Sequence, residues 1–503
     1  MKKITLFLGL LASTGLFAQN YVPDTTFGNN AMAFYDGVSF YPDSGGVVNN
    51  NYYFTSENKL GKVNYDGAID TNFGTNGFIT LTSSTETFTI EGFKFIDNYF
   101  YVYGTATNIA ANTRDAFICK INETGNFDST FATNGMAKFD FSGNETLEDF
   151  VVTDNKLFCV GTKYVTGTAE VLYFKVNNNG SVDTTFDTNG YKTFSVDNYS
   201  AGYFISAYNN NFFIAGNTNI GNGVYSLLML EVSQDGALVT SFGTDGYKVE
   251  PLDSNASSTV NQVQLYNNAL YISYRRGTSN LDTNAKILKY NLSTNQTDFN
   301  IDAYRTGTNF LVTDEGMYVT GTLNCNPFGS PELGNCNFNL DRKLITTGAA
   351  DTSFFTTGSY NYDFPHQLNS NDLSSVLVKD DSGNILIGGS VYRDYFDANN
   401  NYIHGHGFGM TRITSGPLST DDVKASKATL YPNPFENVIT VQTDKQVKNI
   451  VVYDLSGRMV ANKNYNNTTG VINVELSSLQ KGAYLVRIET ADAGVFSEKV
   501  IKQ

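Results

Sequence analysis

Tryptophan is absent, and only three histidines and four cysteines occur in 503 residues. Without tryptophan the broadest sugar-stacking side chain is missing, although 32 tyrosines can stand in for it. Four cysteines cannot staple a chain of this length, so buried apolar surface must hold it together. With so few histidines, imidazole catalysis has little to draw on. His366 follows Pro365 with no evident partner, and no Ser-His-Asp or Cys-His pairing is legible. Charged residues make up only 16%, and acids outnumber bases by 49 to 33, for a net charge of −16. A surface of that sign repels phosphate backbones, which argues against a nucleic-acid partner. After the first residues no apolar run approaches the ~18 residues of a membrane helix, so no transmembrane helix is expected.

What is plentiful is asparagine, threonine, glycine, tyrosine and phenylalanine, a composition of β-branched, aromatic and turn residues that points to an all-β protein. Residues 1–18 read as a secretory signal. Lys2 and Lys3 precede the apolar run Ile4 to Leu11, small residues follow, and cleavage after Ala18 would leave Gln19 first. In the oxidising compartments on that route, a loop disulfide is expected between Cys325 and Cys336, which lie among prolines and glycines. Cys119 and Cys159 fall inside apolar runs and read as buried thiols.

Internal repetition dominates the chain. The pattern Gly-x-x-Asp-x-x-Phe-x-x-x-Gly contributes Asp70, Phe73 and Gly77; Asp128, Phe131 and Gly135; Asp183, Phe186 and Gly190; and Asp351, Phe354 and Gly358. A further copy keeps Phe242 and Gly246 but has Val239 where the aspartate belongs. Asp24 to Phe27 is a partial first copy, and the segment around Phe299 is a decayed one. The seven phenylalanines recur at separations of 46, 58, 55, 56, 57 and 55 residues. A second marker keeps step with the first: Asn/Asp pairs such as Asp97-Asn98 and Asp154-Asn155 precede apolar strands, as hairpin turns do.

About four strands per unit, one of them apolar at successive positions, imply sheets buried on both faces. Seven such units of about 55 residues over 21–413 predict a seven-bladed β-propeller. In this reading Phe78–Leu81 opens the second unit, and the motif joins the last strand of one unit to the first of the next. The glycines bend the chain, the aspartate caps a turn and the phenylalanine wedges between blades. The alternative is that the aspartates bind calcium, but each copy supplies a single dependable carboxylate. These motifs resemble the delta-60 repeat family, a resemblance that covers roughly residues 24–413. It implies an architecture and no common catalytic set.

Residues 414–427 read as a small, polar linker. Beyond it, alternating apolar runs suggest about seven short strands in an immunoglobulin-like β-sandwich over 428–503. The segments at Tyr431–Pro434, Val452–Arg458 and Leu476–Ile488, with Lys499-Val500, resemble the C-terminal sorting domain of type IX secretion. The resemblance implies export across the outer membrane, with the secretion machinery as partner and the outer cell surface or medium as destination.

Other candidate chemistry is sparse. Asp397, Asn399 and Asn401 resemble the start of an oxygen-ligand loop, and His404 and His406 follow them. That segment lacks the glycine and distal glutamate of a complete calcium loop, and a solvated turn is the plainer reading. Arg275 and Arg276 stand where other units place small residues. No catalytic residue is assigned, and no cofactor is required. The expected role is a binding or adhesion module for a glycan or surface protein, or a structural module of the surface layer, with an extracellular polysaccharide-degrading enzyme as the alternative.

Overall fold

The computed structural model describes residues 21–503 apart from 30, 37–43, 188, 220–223, 253–257, 277–284, 304–305, 324–335, 356, 365–371, 397–401, 416–428, 455–457 and 491–494. The signal segment with Ala18 and Gln19, most of the linker, Cys325, His366 and Asp397, Asn399 and Asn401 therefore lie outside the described residues. Every regular element among those described is a strand.

Strands β1 (Tyr21–Pro23) and β2 (Met32–Asp36) come first. A four-stranded sheet follows from β3 (Ser44–Val48), β4 (Asn51–Ser56), β5 (Lys59–Val63) and β6 (Phe78–Thr80). The next comprises β7 (Glu86–Ile96), β8 (Tyr99–Asn108), β9 (Arg114–Asn122) and β10 (Met136–Phe139). An eight-stranded sheet has two halves. One is β11 (Asn144–Thr153), β12 (Lys156–Val165), β13 (Thr168–Val176) and β14 (Tyr191–Phe194); the other is β15 (Tyr199–Tyr208), β16 (Asn211–Asn219), β17 (Tyr225–Val232) and β18 (Tyr247–Glu250). A single parallel pair, Ala169 with Tyr199, joins the halves.

Two further four-stranded sheets are β19 (Ser258–Tyr266) to β22 (Gln296–Asp302), through β20 (Ala269–Arg276) and β21 (Ala285–Asn291), and β23 (Thr306–Thr313) to β26 (Ser359–Tyr362), through β24 (Gly316–Leu323) and β25 (Asn337–Lys343). The last sheet of this unit holds β27 (Asp372–Lys379), β28 (Ile385–Phe396) and β29 (Tyr402–Ser415), and β1 and β2 return to pair with β29. The result is a propeller-like arrangement of five blades plus the larger sheet.

The tight turns follow from their residues. Asn49-Asn50, Asp97-Asn98, Asp154-Asn155, Asn209-Asn210 and Asn267-Asn268 all have positive φ at both positions, which asparagine and aspartate tolerate and which a two-residue hairpin of this hand requires. The strand after each turn is then buried on both faces: Phe100 to Ala106 of β8 is buried throughout. Hydrophobic clusters form between consecutive sheets rather than inside them. One cluster joins Tyr53 and Phe73 to Phe100 and Phe117, and the next joins Phe131 and Ile118 to Phe150 and Phe174. Another joins Phe54 of the first sheet to Leu386 and Phe408 of the last.

Two expectations need correction. Phe78–Thr80 does not open the second unit; β6 pairs with β5 and is the fourth strand of the first sheet. The motif accordingly lies within each sheet, between its third and fourth strands, as Gly125–Gly135 does between β9 and β10. A repeat period carries no information about phase, and the long motif loop resembles a boundary in the sequence.

The tail also departs from expectation. The chain divides into two compact units, Met1–Gly416 and Pro417–Gln503. The second has five strands rather than seven: β30 (Thr429–Tyr431), β31 (Val438–Asp454), β32 (Met459–Glu475), β33 (Gly482–Thr490) and β34 (Val495–Lys502). They form one hydrogen-bonded sheet, in the order β30-β31-β33-β34 with β32 also on β31. Polar stretches that read as breaks between short strands are taken up as register shifts within two 17-residue strands. Ile439, Val452, Val474, Val486 and Val500 fill its core.

Candidate functional site

In every full copy of the repeated motif the same bonds recur. The Asp128 amide donates to the Lys120 carbonyl, the Phe131 amide to the Asp128 carbonyl and the Gly135 amide to the Phe131 carbonyl, at 2.8, 2.9 and 2.9 Å. Asp128 Oδ1 accepts the Thr130 amide at 3.0 Å and its hydroxyl at 2.6 Å, while Oδ2 meets Lys120 Nζ at 2.8 Å. Both oxygens are thus engaged. The Lys120 ammonium foremost, then Thr130, hold the Asp128 carboxyl down at about 2. Asp70 pairs with Lys62 at 2.7 Å, Asp183 with Lys156 at 2.6 Å and Asp351 with Arg342 at 2.8 Å.

The exception supports the rule. Where Val239 replaces the aspartate, the strand residue that would face it is Glu231 in place of a lysine or arginine. The pair changes together, as a charge pair must to avoid stranding one partner.

The phenylalanines do not share one site. Phe73, Phe131, Phe186, Phe354 and Phe27 are buried, each in a separate cluster between its own sheet and the next. Phe242 and Phe299 occupy the corresponding places in two more. The leading glycine brings neighbouring motifs together. At Gly125 φ is +92°, and a Cβ there would lie 2.9 Å from the Gly74 nitrogen of the preceding motif.

The partial first copy shows how the chain ends meet. The Asp24 amide donates to the Arg412 carbonyl at 2.9 Å, repeating the motif bond across the termini of the unit. Arg412 is 1% exposed. It binds Asp24 Oδ2 at 2.6 Å, the Tyr52 hydroxyl at 3.1 Å and the Tyr65 carbonyl, and lies over the Tyr65 ring at 4.1 Å. Arg412→Ala should destabilise this unit by about 3 kcal/mol, near the lower end for breaking a buried pair, because Thr26 still binds the freed Asp24 carboxylate. Chemical denaturation measures it, and an effect within about 0.5 kcal/mol, as for a typical surface change, would contradict this role.

The unit therefore has two unlike ends. One carries the tight turns and the motifs. The other carries the connections between second and third strands, which span two residues between Val165 and Thr168 but thirteen between Leu323 and Asn337. Variable loops on a rigid frame are where binding groups gather. At this end Arg114 lies 5.0 Å over the Tyr164 ring, and Tyr199 meets Tyr225 edge-on at 5.0 Å. Burial, then the neighbouring Tyr199 hydroxyl, raises the Tyr164 and Tyr203 phenols well above their usual range, so both are neutral hydrogen-bonding groups.

The first strands of the sheets run side by side and are cross-linked. Lys94 of β7 binds Asp149 Oδ1 of β11 at 2.7 Å, and Asp149 Oδ2 accepts the Ile205 amide of β15 at 3.1 Å. Gln262 and Gln264 of β19 each exchange two bonds with the β23 backbone. Bulges at Glu91, Glu148 and Tyr203 recur at one place on these strands and re-aim those side chains.

The remaining candidates separate. Arg275 is exposed at the end of β20, opposite Thr259 and Ala285, and Arg276 pairs with Ser258 across the ladder. His404 and His406 lie on β29 opposite Asp394 and Tyr392. Cys119 and Cys159 are free and buried, while Cys336 is disulfide-bonded, its expected partner Cys325 lying outside the described residues. An open hollow of about 490 Å³ is lined by Val196, Gly243, Thr244, Tyr247, Lys248, Val249 and Asn295. Its one cation, Lys248, already binds the Tyr290 hydroxyl and Glu250. Missing from the sequence reading were the motif cations; a lysine eight residues before Asp70 and Asp128 was the available signal.

Residues 429–503 match the family described as the secretion system C-terminal sorting domain. No curated protein matches the chain. Among solved structures, the chain is similar to the extracellular domain of a one component system from B. thetaiotaomicron, at 12% identity and a TM-score of 0.37, covering 96% of this chain and 57% of that one. It is similar to puromycin hydrolase at 9% identity and a TM-score of 0.40, covering 80% and 59%. The β-propeller domain of the Trilobed protease from Pyrococcus furiosus aligns at 9% identity and a TM-score of 0.28, covering 71% and 94%. The chain thus spans less than three fifths of the first two.

The tail is a type IX sorting domain, and it directs the chain to the cell surface or the medium through that machinery. No helix among the described residues is long and apolar enough to cross a membrane.

Proposed function

We propose that this chain is a displayed binding protein: a closed seven-bladed β-propeller of delta-60-type repeats over 21–413, carried outside by the tail over 428–503. Its signal peptide is 1–18, and a linker at 414–427 joins the two parts. The propeller holds a glycan or another surface protein at the end that bears the long connections.

The blade count takes the eight-stranded sheet as two blades, since one residue pair joins its halves. Seven hydrophobic clusters then fall one to each boundary between neighbours, the boundary of last with first included. The observation that carries the binding role is the contrast between the two ends. Repeated turns and ion pairs account for one end in structural terms, while the other gathers tyrosines and Arg114 beside connections of unequal length. Aromatic faces with polar rims suit sugar rings and protein surfaces alike.

A glycan array and a surface-protein overlay with the purified full chain should show retention of one ligand class. The Tyr164→Ala/Tyr199→Ala variant should lose at least tenfold in affinity. Equal binding by both proteins, or none by the parent, would refute this assignment. Polysaccharide cleavage in the same samples would favour the alternative, an extracellular degrading enzyme.

A further inference from the structure

Three carboxylates outside the repeated motif converge at the loop-bearing end. Asp115 is the second residue of β9, and Asp140 follows β10. Because β10 pairs with Phe139 opposite Ala116, Asp140 comes up beside Asp115. The chain then crosses to β11, whose second residue is Glu145. One carboxylate oxygen from each of the three lies within 4.8 Å of the others.

Glu145 is the unusual member. It is 0% exposed, and neither carboxylate oxygen has a hydrogen-bond partner. The repeat does not fix this position: three residues before the bulge in the first strand, where Glu145 stands, other sheets have Phe88, Ser200, Ser258 and Asp372, and the Asp372 carboxylate accepts the Phe364 amide at 3.0 Å. Ser200 there accepts the Val196 amide at 3.1 Å, a bond for which a hydroxyl suffices. A buried carboxylate with no partner is costly unless it is protonated or a cation joins it.

We propose that Asp115, Asp140 and Glu145 form a binding site for a hard divalent cation, calcium by the character of its donors. All three side chains offer oxygen, the choice of calcium, magnesium and manganese. Calcium bonds of about 2.3–2.6 Å place two ligand oxygens up to about 5 Å apart, which accommodates the observed spread. Glu145, with both oxygens free, can serve as a bidentate ligand, and calcium tolerates the uneven geometry of a crossover loop. Asp140 Oδ1 already accepts the Ser142 amide at 2.8 Å, which holds the carboxylate in place and leaves its second oxygen for the ion.

The surroundings favour a cation beside Glu145. Burial foremost, then the negative charge of Asp140 and Asp115, raises the Glu145 carboxyl to about 7, while the Phe141 amide, short of hydrogen-bond geometry, and Lys163 act against the rise. Burial and Asp140 also raise Asp115, against Lys138. Lys138 itself is paired with Glu86 at 2.6 Å. The motif aspartates are different in kind, because lysine or arginine already occupies the place an ion would take.

The test is calcium titration of the chelator-stripped full chain by calorimetry, with thermal melts in calcium and in chelator. The parent should bind calcium saturably below about 5 mM, above the range typical of extracellular modules, and should melt higher with it. Glu145→Gln and Asp140→Asn should each weaken that binding at least tenfold and abolish the calcium-dependent rise. Asp140 is exposed, so its variant remains informative if Glu145→Gln fails to fold. No binding by the parent, or binding and melting responses unchanged in Asp140→Asn, would overturn the site.

Discussion

Phe131→Ala should destabilise the repeat unit by about 3–5 kcal/mol, the usual range for a fully buried phenylalanine. The ring is 1% exposed and meets Tyr101 edge-on at 6.0 Å. Its cluster draws on β8, β9 and β10 on one side and β11, β12 and β13 on the other, so truncation opens a void between two sheets. Neither sheet can close that void alone, because the Phe131 backbone is held by bonds to Asp128 and Gly135.

Asp128→Ala in the same copy should cost less, on the order of 0.5–2 kcal/mol, as for loss of a capping side chain. Its contribution also has a definite pH dependence. The folded carboxyl is held at about 2 by Lys120 and Thr130, below its unfolded value of about 3.9. The stability from this pair is therefore complete above the unfolded value and is lost as pH falls through the folded one. Denaturation of the parent and the two variants at neutral pH and near pH 2 tests both statements. A larger loss from Asp128→Ala than from Phe131→Ala would show that the motif serves an ion rather than packing.

Much of this architecture is written locally, and that part is legible in the sequence. A two-residue turn with positive φ at both positions demands residues such as Asp97-Asn98, and the apolar run after it demands burial on both faces. Repetition of the two markers then sets the period. The phase is not local. Whether Phe78–Thr80 belongs with β5 or with β7 depends on pairing, and the sequence spacing suits either. The same holds for Asp24 and Arg412, 388 residues apart, whose bond means little until the chain ends are brought together. In the tail, polar residues inside β31 and β32 look like breaks because a bulge and a turn use similar residues.

The sites divide along the same line. The motif residues announce themselves by repetition, and their contacts recur with them: each aspartate of a full copy meets a lysine or arginine, and each phenylalanine packs between neighbouring sheets. The carboxylates of the proposed cation site lie outside the motif and are inconspicuous in the sequence. Asp115, Asp140 and Glu145 are ordinary acids at unremarked spacings until pairing of β9 with β10 and the crossover to β11 bring them together.

Removal of residues 429–503 tests the central claim, that the tail places this propeller outside the cell. The tail forms its own compact unit with its own core, so its loss leaves the first unit's internal packing intact. Within the tail, the Asn433 side chain binds the Lys499 carbonyl and the Ile501 amide, both at 2.9 Å. The two ends of the sorting domain thus form one structure for the machinery to recognise. The measurement is fractionation of cells making either the full or the truncated chain, with immunodetection in periplasm, on intact cell surfaces and in medium. The full chain should be found on the surface or in the medium, and the truncated chain should accumulate in the periplasm in folded form. Truncated chain outside intact cells at the level of the full chain would contradict the claim.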